Sequence, residues 1–286
     1  MVRKILVTGA TGFIGNYVIQ ELLSNNCKVI ATSSNGEKAK LRPWFSQVEY
    51  IPFNFKDFDN AVNYYSFFGY PDGLIHLAWE GLPHYKEAFH VEENLPRHFA
   101  FLKNMLENGL KDLTVAGTCF EYGIKEGCLS EEMECDPGNS YAIAKNELRK
   151  QLQLLNSSLS FDLKWVRLFY MYGRGQPSTS LVGQLDKALE NKEQHFNMSG
   201  GEQLRDFLPI EKVAEHIVSI ALQQQVTGII NCCSGIPVSV RAFVEEYLKE
   251  RKKAICLNLG YYPYTDYEAM EFWGSNTKLK TTAGYD

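Results

Sequence analysis

The sequence lacks most features that fix a function by themselves. Its seven cysteines are odd in number, and no two form a Cys-x-x-Cys pair or a zinc-ligand spacing. A complete disulfide framework and a zinc module are thereby excluded. Cys232 and Cys233 are adjacent within what reads as a buried strand, where a thiol behaves as a small apolar group. That usage fits a reducing compartment. Uncharged apolar runs of membrane-spanning length are absent too. Behind Arg3-Lys4 the apolar stretch reaches glycine too soon for a signal peptide. The expectation is a soluble, cytoplasmic protein with no membrane partner. Charge excess is also lacking: 29 Lys and Arg against 34 Asp and Glu give a formal net charge of −5. This argues against a nucleic-acid partner, which would select clustered cations. The one basic cluster, Lys249 with Arg251-Lys252-Lys253, ends an amphipathic pattern and reads as a solvated helix terminus. No internal repeat and no low-complexity segment is present, and 286 residues suffice to bury a full core.

What is present begins at once. Lys4 to Thr8 is a short β-branched run that ends in Gly9, Gly12 and Gly15, with Thr11, Phe13 and Ile14 between them. Ile14, Val18, Ile19, Leu22 and Leu23 then recur at helical spacing. The pattern is strand, tight turn, helix. Glycine tolerates positive φ and has no Cβ to obstruct a phosphate, and the N–H groups that open the helix attract a pyrophosphate. Residues Gly9, Thr11, Gly12, Phe13, Ile14 and Gly15 therefore form a candidate dinucleotide-binding turn. The alternative is a glycine-rich turn that binds nothing.

Strand-like and helix-like segments alternate downstream. Strands are predicted at 27–32, 48–53, 73–79, 113–118 and 163–171, with helices through 94–106 and from about 141. This alternation predicts an α/β fold, a Rossmann-type doubly wound parallel sheet whose ligands gather at the carboxyl ends of its strands. Beyond Gly173 the pattern changes to a polar turn at 175–180, helices at 181–189 and 211–222, a last strand at 228–233 and a helix at 240–249. Residues 1–172, with 206–235 returning, are expected to form the dinucleotide-binding domain, and 173–205 with 236–286 a small substrate-binding region.

At the end of the second strand an acidic residue would bond both ribose hydroxyls of NAD. Thr32-Ser33-Ser34-Asn35-Gly36 stands there instead, with Lys38, Lys40 and Arg42 nearby. Ser33 and Ser34 can bond a 2′-phosphate that the cations neutralise, which favours NADP over NAD. Alternatively the two serines cap the loop and the ribose is read elsewhere. Further along, Tyr141 and Lys145 are four apart at a helix start, so they share one face. A free tyrosine with a pKa of about 10 is a poor acid at neutral pH. A neighbouring ammonium lowers that value, which suits a phenol that protonates a carbonyl oxygen as hydride reaches its carbon.

Thr8-Gly9-Ala10-Thr11-Gly12-Phe13-Ile14-Gly15, Thr118-Cys119-Phe120-Glu121-Tyr122-Gly123 and Tyr141 to Lys145 together resemble the extended short-chain dehydrogenase/reductase family, in the right order along the chain. Arg167 to Gly173 and Arg205-Asp206-Phe207 continue the resemblance. It implies that Thr118 supplies the hydroxyl that holds the substrate oxygen against Tyr141, and that Lys145 also bonds the nicotinamide ribose. It implies that Asn54-Phe55 flank the adenine, although Asn54 replaces the usual acid, and that Leu77, Ala78 and Trp79 line the nicotinamide side. Trp79 would also wall the sugar, unless it is plain core. Arg174 and Arg205 would bind a substrate diphosphate, for which guanidinium suits; a structural pair with Asp206 or a neighbouring carboxylate is the alternative for Arg205. Helices bearing Leu102 to Leu106 and Leu148 to Leu155 match those that form a homodimer interface in relatives.

The family holds reductases, epimerases and dehydratases. Cys119 and Phe120 cannot replace the acid and base of 4,6-dehydration. Thr118-Cys119-Phe120-Glu121-Tyr122 and His76 to Leu82 are most similar to the deoxysugar reductases. Glu121 points either toward substrate hydroxyls or to solvent. The expectation is an NADPH-dependent reductase of a nucleotide-linked 4-keto-6-deoxyhexose, serving surface polysaccharide and needing no metal. A 4-epimerase with tightly held NAD and a non-catalytic NADP-binding regulator are its rivals.

Overall fold

A computed structural model of the chain describes residues 2–264 and 269–283. Within the expected substrate-binding segment 236–286, residues 265–268 and 284–286 lie outside the described residues. The central sheet has seven parallel strands: β1 (Lys4–Thr8), β2 (Lys28–Thr32), β3 (Glu49–Tyr50), β4 (Gly73–His76), β5 (Asp112–Thr118), β6 (Asp162–Leu168) and β7 (Gly228–Cys232). Their order is β7-β6-β5-β4-β1-β2-β3. The order reverses between β1 and β4, the switch point at whose strand ends ligands of such sheets bind. This is a Rossmann-type doubly wound sheet.

Alternate residues of the strands face two separate cores. Ile5 and Val7 join Val18, Ile19 and Leu22 of helix Phe13–Ser24 and Ile217 of helix Ile210–Leu222. Leu6 turns the other way, toward Phe101 and Leu102 of helix Leu95–Glu107 and Leu148 and Leu152 of helix Ser140–Leu159. Leu102, Leu106, Leu148 and Leu152 of the expected dimer helices thus point at the sheet, whereas Ile143 and Leu154 face outward.

The elements differ from those expected in two places. The strand expected over 48–53 is regular only at Glu49–Tyr50, although Ile51 and Phe53 go on donating to the Ala31 and Ser33 carbonyls on either side of Pro52. The run 163–171 splits at Phe169: β6 ends at Leu168, and Tyr170–Tyr172 pairs with Leu204–Pro209 in a separate sheet. Helices Leu181–Glu190 and Val240–Glu250 close over Phe196 and Met198 as a satellite core. The short helix Thr277–Ala283 returns to the main body, where Leu279 joins the core of helix Ile210–Leu222.

Candidate active site

Gly9 turns the chain out of β1 with φ +68°. A Cβ there would lie 2.8 Å from the Ala78 nitrogen, and one at Gly15 would lie 2.3 Å from the Gly9 carbonyl oxygen. Both positions are closed to any side chain. Helix Phe13–Ser24 begins at Gly12 with no side chain capping it, so its first N–H groups are presented at the switch point. A glycine cradle before an uncapped helix end fits a dinucleotide pyrophosphate, with Gly12 to Gly15 as the residues that would hold it. Thr11 is buried, and its carbonyl accepts a 2.8 Å bond from Arg42 Nη2.

At the second strand, Ser33 is buried and its hydroxyl is bonded to Tyr50 at 3.0 Å, whereas Ser34 is exposed. Lys40 pairs with Glu37, leaving Arg42 as the cation drawn in against the turn. The ring of Phe55 is buried and packs among Phe53, His76, His98 and Phe101. Asn54 caps the short turn that follows it by accepting from the Lys56 N–H.

The catalytic candidates converge at the ends of β4 and β5. Thr118 closes β5, and Asn139 caps helix Ser140–Leu159 by accepting from the Ala142 N–H. The cap sets the buried face of that helix, which carries both Tyr141 and Lys145. The Thr118 hydroxyl accepts from the Phe120 N–H at 3.3 Å and faces the Tyr141 phenol, whose value it lowers. Burial pushes that phenol well above its ordinary value, and Tyr85, Glu121 and Cys119 add to the effect. The sequence-based expectation of a lysine-lowered phenol is therefore corrected: burial outweighs the other influences and raises Tyr141. Burial likewise lowers Lys145 to about 7, against the raising influence of Glu121 and Glu80. Its ammonium donates to the Ala116 carbonyl at 2.7 Å and lies 4.3 Å from the centre of the Trp79 ring.

Trp79 is half-buried and meets Tyr141 edge-on at 6.1 Å. Leu77 and Ala78 precede it, their N–H groups donating to the Thr8 hydroxyl at 3.2 and 3.3 Å. The loop before helix Leu95–Glu107 supplies residues that sequence patterns did not reveal. Tyr85 accepts from the Tyr141 N–H through its carbonyl, and its ring sits 5.6 Å from that of Tyr141. His90 accepts the Trp79 indole N–H at 3.0 Å. Neither lies in a periodic or spaced motif, so no sequence signal identifies them.

Three expected substrate contacts fare differently. Glu121, expected at the substrate or in solvent, does neither: it is fully buried. Its carboxylate accepts from the Thr118 N–H at 2.9 Å, the Trp165 indole at 2.9 Å and Arg167 Nε at 2.9 Å, with Arg149 Nε at 3.8 Å. Gly117 is required beside it, since a Cβ would lie 2.6 Å from Glu121 Oε1 and 2.3 Å from Trp165 Nε1. Glu121 is thus the internal anchor that shapes the Thr118 turn, because two guanidiniums compensate its burial. Arg205 is only 3 % exposed, donates to the Leu204 and Met270 carbonyls, and lies 4.4 Å from the Phe272 ring centre. This places it within the C-terminal packing rather than on an open anion site. Asp206 is not its partner; it accepts from Ser234 and Gly235. Arg174 is exposed beside Tyr17, whose hydroxyl donates to its carbonyl at 2.8 Å. Among the described residues no cluster of His, Cys, Asp and Glu is placed to hold a metal, and no helix is long and apolar enough to cross a membrane.

A glycine cradle at the first strand end and a Tyr–Lys–Thr set at the next strands define a nicotinamide-dependent oxidoreductase of the Rossmann class. The sequence model of the NAD dependent epimerase/dehydratase family matches residues 5–233, and the chain belongs to that family. It is 32 % identical over 279 residues to dTDP-6-deoxy-L-talose 4-dehydrogenase (NAD(+)) of Aggregatibacter actinomycetemcomitans, covering 95 % of this chain and 99 % of that one. It is 23 % identical over 269 residues to dTDP-4-dehydro-6-deoxyglucose reductase of Escherichia coli, covering 88 % and 83 %. Among solved structures, UDP-glucuronic acid 4-epimerase from Bacillus cereus, in complex with UDP-glucuronic acid and NAD, shares the fold. Its TM-score is 0.82 at 21 % identity, over 99 % of this chain and 93 % of that one.

Proposed function

We propose that the protein reduces the 4-keto group of a nucleotide-linked 4-keto-6-deoxyhexose, with NADPH as the preferred reductant. The observation that carries this reading is the buried face of helix Ser140–Leu159, on which Tyr141 and Lys145 stand together beside Thr118 at the end of β5. The nicotinamide, when bound, supplies the hydride. Tyr141 gives its proton to the ketone oxygen, Thr118 orients that oxygen, and Lys145 stabilises the phenolate that remains. The charge of Lys145 is supported by Glu121 and Glu80. Glu121 is committed to Arg167 and Trp165, and the neighbouring positions are Cys119 and Phe120, so the Thr118 turn offers no acid–base pair for dehydration. The similarity to a 4-dehydrogenase and a 4-keto reductase of deoxysugars supports chemistry at C4.

For NADPH the support is local. No carboxylate stands at the end of β2 to repel a 2′-phosphate, Ser34 is exposed, and Arg42 is anchored on the turn. A homodimer through the helices bearing Ile143 and Leu154 completes the proposal. The second reading is a 4-epimerase with tightly held NAD, favoured by the fold shared with the B. cereus epimerase. The test is incubation with NADPH or NADH and a panel of dTDP-, GDP- and CDP-4-keto-6-deoxy sugars, followed by identification of the product. Stoichiometric oxidation of NADPH supports the reductase; turnover on a catalytic trace of NAD overturns it. Tyr141→Phe is expected to cut turnover by about 10²–10⁴-fold and leave cofactor binding intact. Unchanged activity in that variant would favour a non-catalytic role.

A further inference from the structure

A continuous line of buried hydrogen bonds runs from the dinucleotide turn to the surface, apart from the catalytic set. Thr8 Oγ1 is 2.9 Å from His76 Nδ1, His76 Nε2 is 3.0 Å from His98 Nδ1, and His98 Nε2 is 2.8 Å from Glu80 Oε2. Thr8, His76 and His98 have no exposure at all, whereas the Glu80 side chain is 40 % exposed. Burial lowers both histidines, and Lys145 and Arg97 add to this at His98 against the opposing pull of Glu80. Burial raises Glu80, but its bond to His98 and the nearby cations outweigh this and leave the carboxyl below its ordinary value. The outer end of the line is thus a carboxylate, which can only accept.

That end condition fixes every donor behind it. His98 carries its proton on Nε2 to serve Glu80, so its Nδ1 is an acceptor. His76 then carries its proton on Nε2, and its own Nδ1 accepts from the Thr8 hydroxyl. The Thr8 oxygen keeps its lone pairs for the N–H groups of Leu77 and Ala78. The neighbouring indole is held in the same manner. Its N–H donates to His90 Nδ1, and His90 Nε2 in turn donates to the His84 carbonyl at 3.0 Å. Its face stacks on His98 at 4.8 Å and 17°. Asn94 also donates to the Glu80 carbonyl at 3.0 Å, which fixes the segment beyond Trp79.

We propose that Glu80 is a positioning residue: through the one-way line His98–His76–Thr8 it holds Leu77, Ala78 and the Trp79 indole in the place that receives the nicotinamide half of the cofactor. Glu80 touches neither ligand nor reacting atoms. Its carboxylate orders two histidine tautomers, and these order the strand-end loop. The inference rests on the reading of this edge as the cofactor side.

The experiment has two arms. Long-range ¹H–¹⁵N NMR of the histidines, recorded without cofactor or substrate, reads the tautomers in the wild type, Glu80→Ala and Glu80→Gln. Expected are Nε2–H tautomers for His76 and His98 in the wild type, a mixture in Glu80→Ala, and restoration in Glu80→Gln, whose amide oxygen still accepts. The second arm measures dinucleotide dissociation constants and the split between KM and kcat. Glu80→Ala and His98→Phe are expected to weaken cofactor binding about tenfold, with kcat changed less, while Glu80→Gln stays within about twofold of wild type. A merely structural role would lower the melting temperature and leave affinity and tautomers as they were; that result overturns the proposal, as does an unchanged wild-type tautomer pattern in Glu80→Ala. Ordered wild-type tautomers with no dinucleotide binding would refute the cofactor reading of the site, and this inference with it.

Discussion

Replacing Lys145 by methionine is expected to abolish turnover and yet stabilise the fold near neutral pH. The amine is buried, and its value falls from 10.5 to about 7. The folded value lies below the unfolded one, so between about pH 7 and 10.5 the unfolded chain binds the extra proton. Wild-type stability therefore climbs as pH rises through that window. At pH 7 the shift costs the wild-type fold about 4 kcal/mol, and at pH 9.5 only about 1 kcal/mol. Methionine fills a similar volume without that penalty, but it leaves the Ala116 carbonyl without the 2.7 Å bond from the ammonium, at a cost of about 1–3 kcal/mol. The variant is thus expected to be the more stable protein at pH 7 by about 1–3 kcal/mol, and to lose that advantage by about pH 9.5. Tyr141 does not interfere, because its raised value keeps it protonated throughout this range. Urea unfolding of both proteins at the two pH values measures the difference directly. A stability difference that ignores pH would refute the reasoning, since it would mean that the amine titrates alike in both states.

Glu121→Gln leaves Arg167 and Arg149 without their buried counter-charge and is expected to cost about 3–5 kcal/mol, read in the same urea experiment. Gly15→Ala is expected to abolish dinucleotide binding, because its Cβ would lie 2.3 Å from the Gly9 carbonyl; calorimetric titration with NADPH and NADH checks it. Arg42→Ala is expected to raise the KM for NADPH about tenfold and that for NADH much less; equal effects on both would remove the guanidinium from 2′-phosphate recognition. Histidine titration gives an acid-side prediction. Burial lowers His76 and His98, so their contribution is complete above about pH 6.5 and falls away as pH drops below it. Stability of the wild type between pH 7 and pH 5 is therefore expected to fall more steeply than that of His98→Phe.

The sheet, the glycine turn and the tyrosine–lysine helix were legible because each rests on short-range rules. Alternation of apolar residues, positive-φ tolerance at Gly9 and an i, i+4 pair on one helix face need no knowledge of distant segments. Glu121 was not legible. Its partners Trp165 and Arg167 lie 44 and 46 residues away, and a carboxylate three places after Thr118 has the same local pattern whether it turns inward or out. The surroundings of Arg205 were hidden for a like reason, since a strand arginine beside an aspartate does not reveal the Met270 carbonyl and the Phe272 ring beside it.

The amino-acid order alone determined where the dinucleotide cradle lies and which phenol and amine share a helix face, because both follow from backbone geometry over a few residues. Only the tertiary structure decided the chemical state of those groups. Burial and long-range partners raise Tyr141, bring Lys145 to about 7, and lock Glu121 against Trp165 and Arg167. Desolvation and Coulomb energy depend on what surrounds a group in space, and those neighbours come from segments that the sequence keeps far apart.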